Sequence, residues 1–266
     1  MSDLQPARER GVDVPRCLSF TVSGDWAHFK QPDGNHIRRT YRTPPRTTLA
    51  GLIAAMLGYE RDSYYDIFQA DNSALAVSPA SPLRTTNLAE NILTTNEETQ
   101  ERIGRNRKGL KLMHTRSDKP RQRRNFEVVN NPAYRIDCWL ADDDAYTGLR
   151  THLENGTSVY TPALGLSEFL ADIEYHGEFI PEDVESDSTE VTSTIPGGTT
   201  RLLPSANTRT TVERAPALME KTESGSEFGP GRRTTAFVDI AVETEARPVK
   251  TNAPASRVDD RNVVFF

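Results

Sequence analysis

The 266-residue sequence predicts an α+β fold, one sheet carrying two helices, and three observations predict it. Short apolar alternations recur around residues 18–22, 74–78, 126–128, 134–140 and 173–179. Two stretches, "TTLAGLIAAMLG" and "DDDAYTGLRTHLENG", instead space their apolar residues as helices do. Their order along the chain is β-α-β, a long polar excursion, β-β and then α-β, which follows the split βαβ plan if the extra strand pairing belongs to the excursion.

Each element has its own justification. In "RCLSFTVS", Leu18, Phe20 and Val22 alternate with polar neighbours as in a half-buried strand. The first helix carries Leu49, Leu52, Ile53, Met56 and Leu57 as one stripe, Thr47 and Thr48 are placed to cap its first turn, and Gly58 stops it. "SYYDIF" reads as a short aromatic helix and "ALAVS" as the second strand. "NFEVVNNPAYRIDCWLA" alternates, turns through Asn-Asn-Pro and alternates again. Asp142, Asp143 and Asp144 cap the second helix and Gly156 ends it. A turn after Ser167 leads into a strand through Ile173, Tyr175 and Phe179. Residues 1–13 read as a flexible N-terminus, and 181–199, acidic and rich in Ser, Thr, Pro and Gly, as a linker or exposed loop. Beyond it "AFVDIAVET" and "NVVFF" are strands of a small part packed on residues 14–180.

Composition narrows the function classes. No run approaches the roughly 18 apolar residues of a membrane span, and no secretory leader is present, so a cytoplasmic protein without a membrane partner is expected. Cys17 and Cys138 sit in strand patterns as buried free thiols, and the five histidines show no metal-ligand spacing, so neither a metal nor another cofactor is expected. Phosphate-loop and nucleophile-elbow motifs are missing. The net charge is −6, but the charges are segregated. Residues 102–124 hold ten Arg or Lys against Asp118, whereas 135–190 hold fourteen acids against Arg135 and Arg150. Only six of the 32 basic residues are lysine, a bias that suits a salt-rich cytoplasm.

Two basic stretches are the candidate nucleic-acid contacts. Arg102, Arg105, Arg107, Lys108, Lys111, His114, Arg116, Arg121, Arg123 and Arg124 offer planar donors for phosphate beside Gly and Pro positions. A solvated charged surface is the alternative reading of this run. The earlier stretch sets Trp26, Phe29 and Tyr41 among Arg38, Arg39, Arg42 and Arg46, the mix of stacking faces and cations that single-stranded RNA requires. Trp26 and Phe29 equally suit a cover over a sheet edge. Pro44 and Pro45 fix an extended entry into the first helix and brace the loop. Tyr41, Lys111 and His114 are residue types that can cleave RNA by general acid and base, although nothing local compels them to meet.

The blocks "LSFTVSGDWAHFK", "YRTPPRTTLAGLIAAMLG" and "YTPALGLSEFLADI", in that order, resemble the fifth family of CRISPR-associated (Cas) proteins in the RAMP superfamily. The resemblance implies a modified ferredoxin-like, RRM-like domain over 14–180, a protruding β-hairpin thumb at about 85–125, and a small C-terminal β-rich part over 181–266 with its acidic loop. The aromatic signature of the RNA-recognition module itself is missing. It further implies a subunit of a type I surveillance (Cascade) complex in antiviral defence. Such a subunit grips the 5′ handle of the CRISPR RNA, touches the large and backbone subunits, and meets target DNA through the complex. Some relatives cut precursor RNA with a Tyr, Lys and His set. Here Leu112 and Met113 separate Lys111 from His114. Together with a composition similar to haloarchaeal type I-B systems, where a separate endoribonuclease cuts, this implies a subunit with no catalytic residues. A metal-independent endoribonuclease for precursor RNA and a protein-interaction scaffold are the alternatives.

Overall fold

The computed structural model describes residues 2–32, 37–92, 122–185, 187–203, 208–226 and 229–266. Its centre is a four-stranded antiparallel sheet of β1 (Cys17–Ser23), β2 (Ser73–Pro79), β5 (Ala133–Leu140) and β6 (Asp172–Phe179), in the order β6-β1-β5-β2. Between β2 and β5 the chain makes the antiparallel pair β3 (Arg84–Ile92) and β4 (Gln122–Asn130), which stands beside the sheet. Two helices, α1 (Arg46–Leu57) and α2 (Asp143–Asn155), complete the βαβ units.

The period-two pattern decides which sheet face meets the helices. Leu18, Phe20, Val22, Leu75, Val77, Ile136 and Cys138 share one core with Leu49, Ile53 and Met56 of α1 and Leu149 and Leu153 of α2. The opposite face carries Ser19, Asp137 and small residues such as Ala74 and Ala76. This face is roofed by the C-terminal segment: Val258, Val263 and Phe265 pack on it, and Arg261 donates to both Asp137 carboxylate oxygens at 3.0 and 3.2 Å. Buried on both faces, β2 has no exposed position.

Both helices end as their glycines demand, with Gly58 at φ 80° and Gly156 at φ 60°. Asp142 caps α2 by accepting the Ala145 amide at 2.8 Å. The cap expected of Thr47 and Thr48 is not made: Pro45 occupies the N-cap of α1, its fixed φ starting the helix without a side-chain bond. "SYYDIF" forms successive turns instead of a helix. Tyr65 and Phe68 still bury their rings.

Two expectations about looseness are corrected. The N-terminus, expected to be flexible, pairs Ser2 and Asp3 in parallel with residues 236–237 and buries Leu4, Ala7 and Val12. The acidic stretch 181–199 is held by short strands at Glu182–Val184, Thr189–Val191 and Ile195–Pro196, because Val191 and Ile195 face a core shared with Val249, Ala253 and Val264. The C-terminal part also holds a long hairpin of β7 (Thr210–Ser226) and β8 (Gly229–Glu243). Only β8 is legible in the sequence. β7 carries Pro216, tolerated at a register shift in the pairing.

Candidate nucleic-acid interface

An RNA-recognition module reads RNA across an open sheet. Here the non-helical face is covered by Arg261 and its neighbours, so the candidate surface lies elsewhere, on the β3–β4 pair and the loop 24–45.

That loop is stitched to β4 on both sides. Trp26 and Ala27 pair antiparallel with Asn130 and Val129, while Ile37 and Arg38 pair parallel with Asn125 and Phe126. Phe29 and Lys30 fold back on Tyr41 and Thr40. The Thr40 amide donates to the Glu127 carboxylate at 3.2 Å, and the His28 Nδ1 donates to the Glu127 carbonyl at 2.8 Å. These bonds bring Arg38 and Arg39 of the loop beside the strand that carries Arg123. Arg38 lies opposite Phe126, its guanidinium 5.3 Å from the ring centroid, and on the same strand, beyond Asn125, Arg124 and Arg123 pair with Glu90 and Asn91. Arg39, Lys30 and Arg123 are exposed, and Arg38 is half-buried.

A second brace comes from the turn at 162–171. The His28 amide donates to the Leu164 carbonyl at 3.0 Å. Gly165, at φ 96°, approaches so closely that a Cβ there would lie 2.0 Å from the His28 carbonyl oxygen. His28 itself is 2% exposed, packs edge-on to Phe126 at 5.3 Å, and leaves its Nε2 without a hydrogen-bond partner. Burial pushes its pKa below the ordinary histidine value, with Arg38 and Lys30 adding to the effect, so the ring is neutral near pH 7.

Several of the expected contact residues prove to be internal. Arg46 is 1% exposed, inside the protein at the start of α1. It donates to the carbonyls of Phe68 at 2.6 Å, Ser73 at 3.1 Å and Phe266 at 3.2 Å, and to the Ser73 hydroxyl at 2.6 Å. Burial brings its pKa down to about 9, so it stays charged at neutral pH while holding three segments together. Its assignment as an RNA contact is therefore corrected: no donor faces solvent. Phe29 and Tyr41, expected as stacking faces, are 2% and 3% exposed. Phe29 packs against Tyr134, and the Tyr41 hydroxyl donates to the Arg214 carbonyl at 2.9 Å. Trp26 is half-buried against the core, in keeping with a sheet-edge cover. Arg42 is half-buried, its amide and guanidinium both donating to Glu213 at 2.9 and 3.0 Å. Arg102, Arg105, Arg107, Lys108, Lys111, His114, Arg116 and Arg121 lie outside the described residues.

Glu213, Arg84 and Arg209 were not legible as parts of this region. Glu213 is a nearly buried carboxylate whose pKa burial raises, and the Arg42 donors oppose that rise. Arg84 and Arg209 converge on Glu245 from distant parts of the chain. No local spacing announces such meetings. Among the described residues no group of His, Cys, Asp and Glu side chains is arranged to hold a metal ion, and no helix is long and apolar enough to cross a membrane.

Comparison with known proteins places this geometry. Residues 17–137 match the family model of the "CRISPR-associated protein (Cas_Cas5)". That span runs from β1 through the β3–β4 pair into β5, and over it the chain is similar to the Cas5 family. A chain of a structure described as "CRISPR RNA-guided surveillance complex" shares the fold, with a TM-score of 0.50 at 15% identity, over 87% of this chain and 91% of that one. A chain from "Cryo-EM structure of the Type III-B Cmr-beta bound to cognate target RNA and AMPPnP, state 1" aligns at TM-score 0.45 and 8% identity, over 88% and 86%, and carries no weight here. No curated protein matches the chain.

Proposed function

We propose that this chain is a Cas5-family protein, a non-catalytic, cytoplasmic RNA-binding subunit of a type I CRISPR surveillance complex. Its core is a modified ferredoxin-like domain, a reading supported by the sheet order β6-β1-β5-β2 with both helices on one face. The β3–β4 pair is the foot of the thumb hairpin. The single observation that carries the function is the pairing of the Arg38 segment, with exposed Arg39 next to it, to the strand that carries exposed Arg123, from segments about 85 residues apart, in a chain of net charge −6. A charge cluster of that kind, in an otherwise acidic molecule, holds a polyanion where the rest of the surface repels it.

The strand held there is the 5′ handle of the CRISPR RNA, gripped by its backbone and shape while the guide is read by base pairing. The neighbours are the large subunit and the first backbone subunit, with target DNA reached through the complex. No catalytic role is assigned to Tyr41, whose hydroxyl is spent on the Arg214 carbonyl in a buried setting.

The test is fluorescence anisotropy of the purified chain with a labelled single-stranded repeat RNA, without metal. Arg38→Ala/Arg39→Ala is expected to weaken binding at least fivefold with no RNA cut. Unchanged affinity removes the RNA reading and leaves a scaffold. Discrete cleavage lost in His114→Ala replaces the non-catalytic reading with an endoribonuclease.

A further inference from the structure

A groove runs from the arginine loop to the foot of β3, and none of the sequence-predicted residues but Tyr41 and Arg42 touches it. It consists of two cavities, about 310 and about 390 Å³, that meet at Arg42 and Thr211. Gln31, Pro32 and Arg214 wall the first, and Arg84, Thr85 and Arg209 the second. The polar wall of the second cavity is thus guanidinium and threonine, with Thr210 and Thr244 beside Thr211.

These arginines are held in place. Arg84 donates through both Nη atoms to the Glu245 carboxylate at 2.8 and 2.7 Å, and Arg209 stands 3.6 Å from the same carboxylate. Beneath them the Glu243 carboxylate accepts the amides of Arg209, Glu245 and Arg247 at 2.8–2.9 Å, fixing the backbone from which Arg209 and Glu245 project. A bidentate pair uses two of the five N–H donors of Arg84 and leaves three. Among the described residues the one carboxylate in the groove lining, Glu213, is already engaged by the amide and guanidinium of Arg42.

We propose that this groove is a phosphodiester seat for single-stranded RNA, with Arg84 and Arg209 as phosphate ligands and the hydroxyls of Thr85, Thr210 and Thr211 as their partners. The proposal rests on the RNA-binding reading and adds to it the course of a further stretch of strand. The Gln31 amide donates to the Arg39 carbonyl at 2.9 Å, so the groove opens beside the exposed Arg39 and a strand leaving that residue enters it directly. Orienting carboxylates set behind arginines hold bidentate donors ready, and hydroxyls add acceptor-tolerant contacts that follow a sugar–phosphate chain. Among the described residues Leu83 is the one large apolar side chain lining the second cavity, too little to anchor an apolar peptide.

The experiment measures labelled single-stranded repeat RNA on the full chain across a salt series, comparing Arg84→Gln/Arg209→Gln with Arg38→Ala/Arg39→Ala. The groove variant is expected to bind at least fivefold more weakly and to reduce the slope of log K against log salt by about 1.4, the value for two phosphates on a single strand. If the groove variant fails to fold, the exchange Arg84→Glu/Glu245→Arg keeps the ion pair, turns a carboxylate toward the groove, and must weaken binding by as much. Unchanged binding in the groove variant or the exchange, beside loss in Arg38→Ala/Arg39→Ala, overturns the seat alone. Unchanged binding in all of them overturns the RNA reading and the seat with it.

Discussion

Arg39 and Arg46 are seven residues apart in one arginine-rich segment, yet one is exposed on the loop beside β4 and the other is among the most deeply buried side chains of the protein. Between them lie Pro44 and Pro45, which turn the chain from a strand edge into α1 and carry Arg46 inside. Residue type is the same on both sides of the bend. What differs is the environment each side enters: a strand ladder facing water before it, and a ring of main-chain carbonyls after it. A run of arginines therefore divides into solvent-facing side chains and internal fasteners at a backbone feature.

The sharpest way to break this division is Arg46→Met. The substitution keeps the volume and removes every donor, leaving the carbonyls of Phe68, Ser73 and Phe266 buried and short of partners. A loss of about 3 kcal/mol or more is expected in urea unfolding, with no soluble protein as the extreme result. A loss under about 1 kcal/mol would mean that Arg46 fastens nothing.

The next effect concerns the brace under the loop. In Gly165→Ala the new methyl meets the His28 carbonyl oxygen and a φ of 96° that L residues avoid. About 2 kcal/mol of destabilisation is expected, with faster amide exchange at His28, whose bond to Leu164 must lengthen. Slow exchange with a lowered melting temperature would place the strain elsewhere and detach the turn from the loop.

These two cases show where sequence reading stops. The stripe Leu49, Leu52, Ile53 and Met56 was legible because helical spacing is local, as were the Asp142 cap and both glycine stops. The order of strands followed from the order of alternations. The fate of Arg46 was not legible, because its acceptors at Phe68, Ser73 and Phe266 lie 22, 27 and 220 residues away. The stacking expected of Phe29 and Tyr41 failed for a similar reason: the hairpin they form folds its rings toward β5 and β7 instead of outward. Strand β7 was missed because its inward positions include Glu213, a residue that only a distant Arg42 makes tolerable in a core.

A smaller effect follows from His28. Its pKa in the folded chain is lowered, first by burial, while the unfolded chain keeps the ordinary value near 6.5. The unfolded state therefore binds more protons in the interval between the two values. The stability that neutral His28 permits is fully present above pH 6.5 and declines as pH falls toward the folded value. The groups facing the ring are Arg38 and Lys30, which oppose protonation, and the carbonyl and carboxylate of Glu127, which favour it. Unfolding midpoints measured from pH 7.5 to 5 should fall for the native chain and fall less for His28→Gln. Parallel curves would show that the acid sensitivity belongs to other groups.

The smallest effect on stability belongs to the exposed side of the bend, and it separates the two arginine populations most cleanly. Arg39 is exposed, and Arg38 rests half-buried on the Phe126 ring, a contact of about 0.5–1 kcal/mol at such sites. Arg39→Ala alone is therefore expected to leave the urea midpoint within about 0.5 kcal/mol of the native chain, and Arg38→Ala/Arg39→Ala within about 1 kcal/mol. On the proposed RNA reading, the same double variant is expected to lower the salt slope of RNA binding by about 1.4, the value for two single-strand phosphates. The comparison fails if the order is inverted: a double variant that unfolds readily yet binds RNA with an unaltered salt slope would make Arg38 and Arg39 fasteners like Arg46, and the bend at Pro44 and Pro45 would divide nothing.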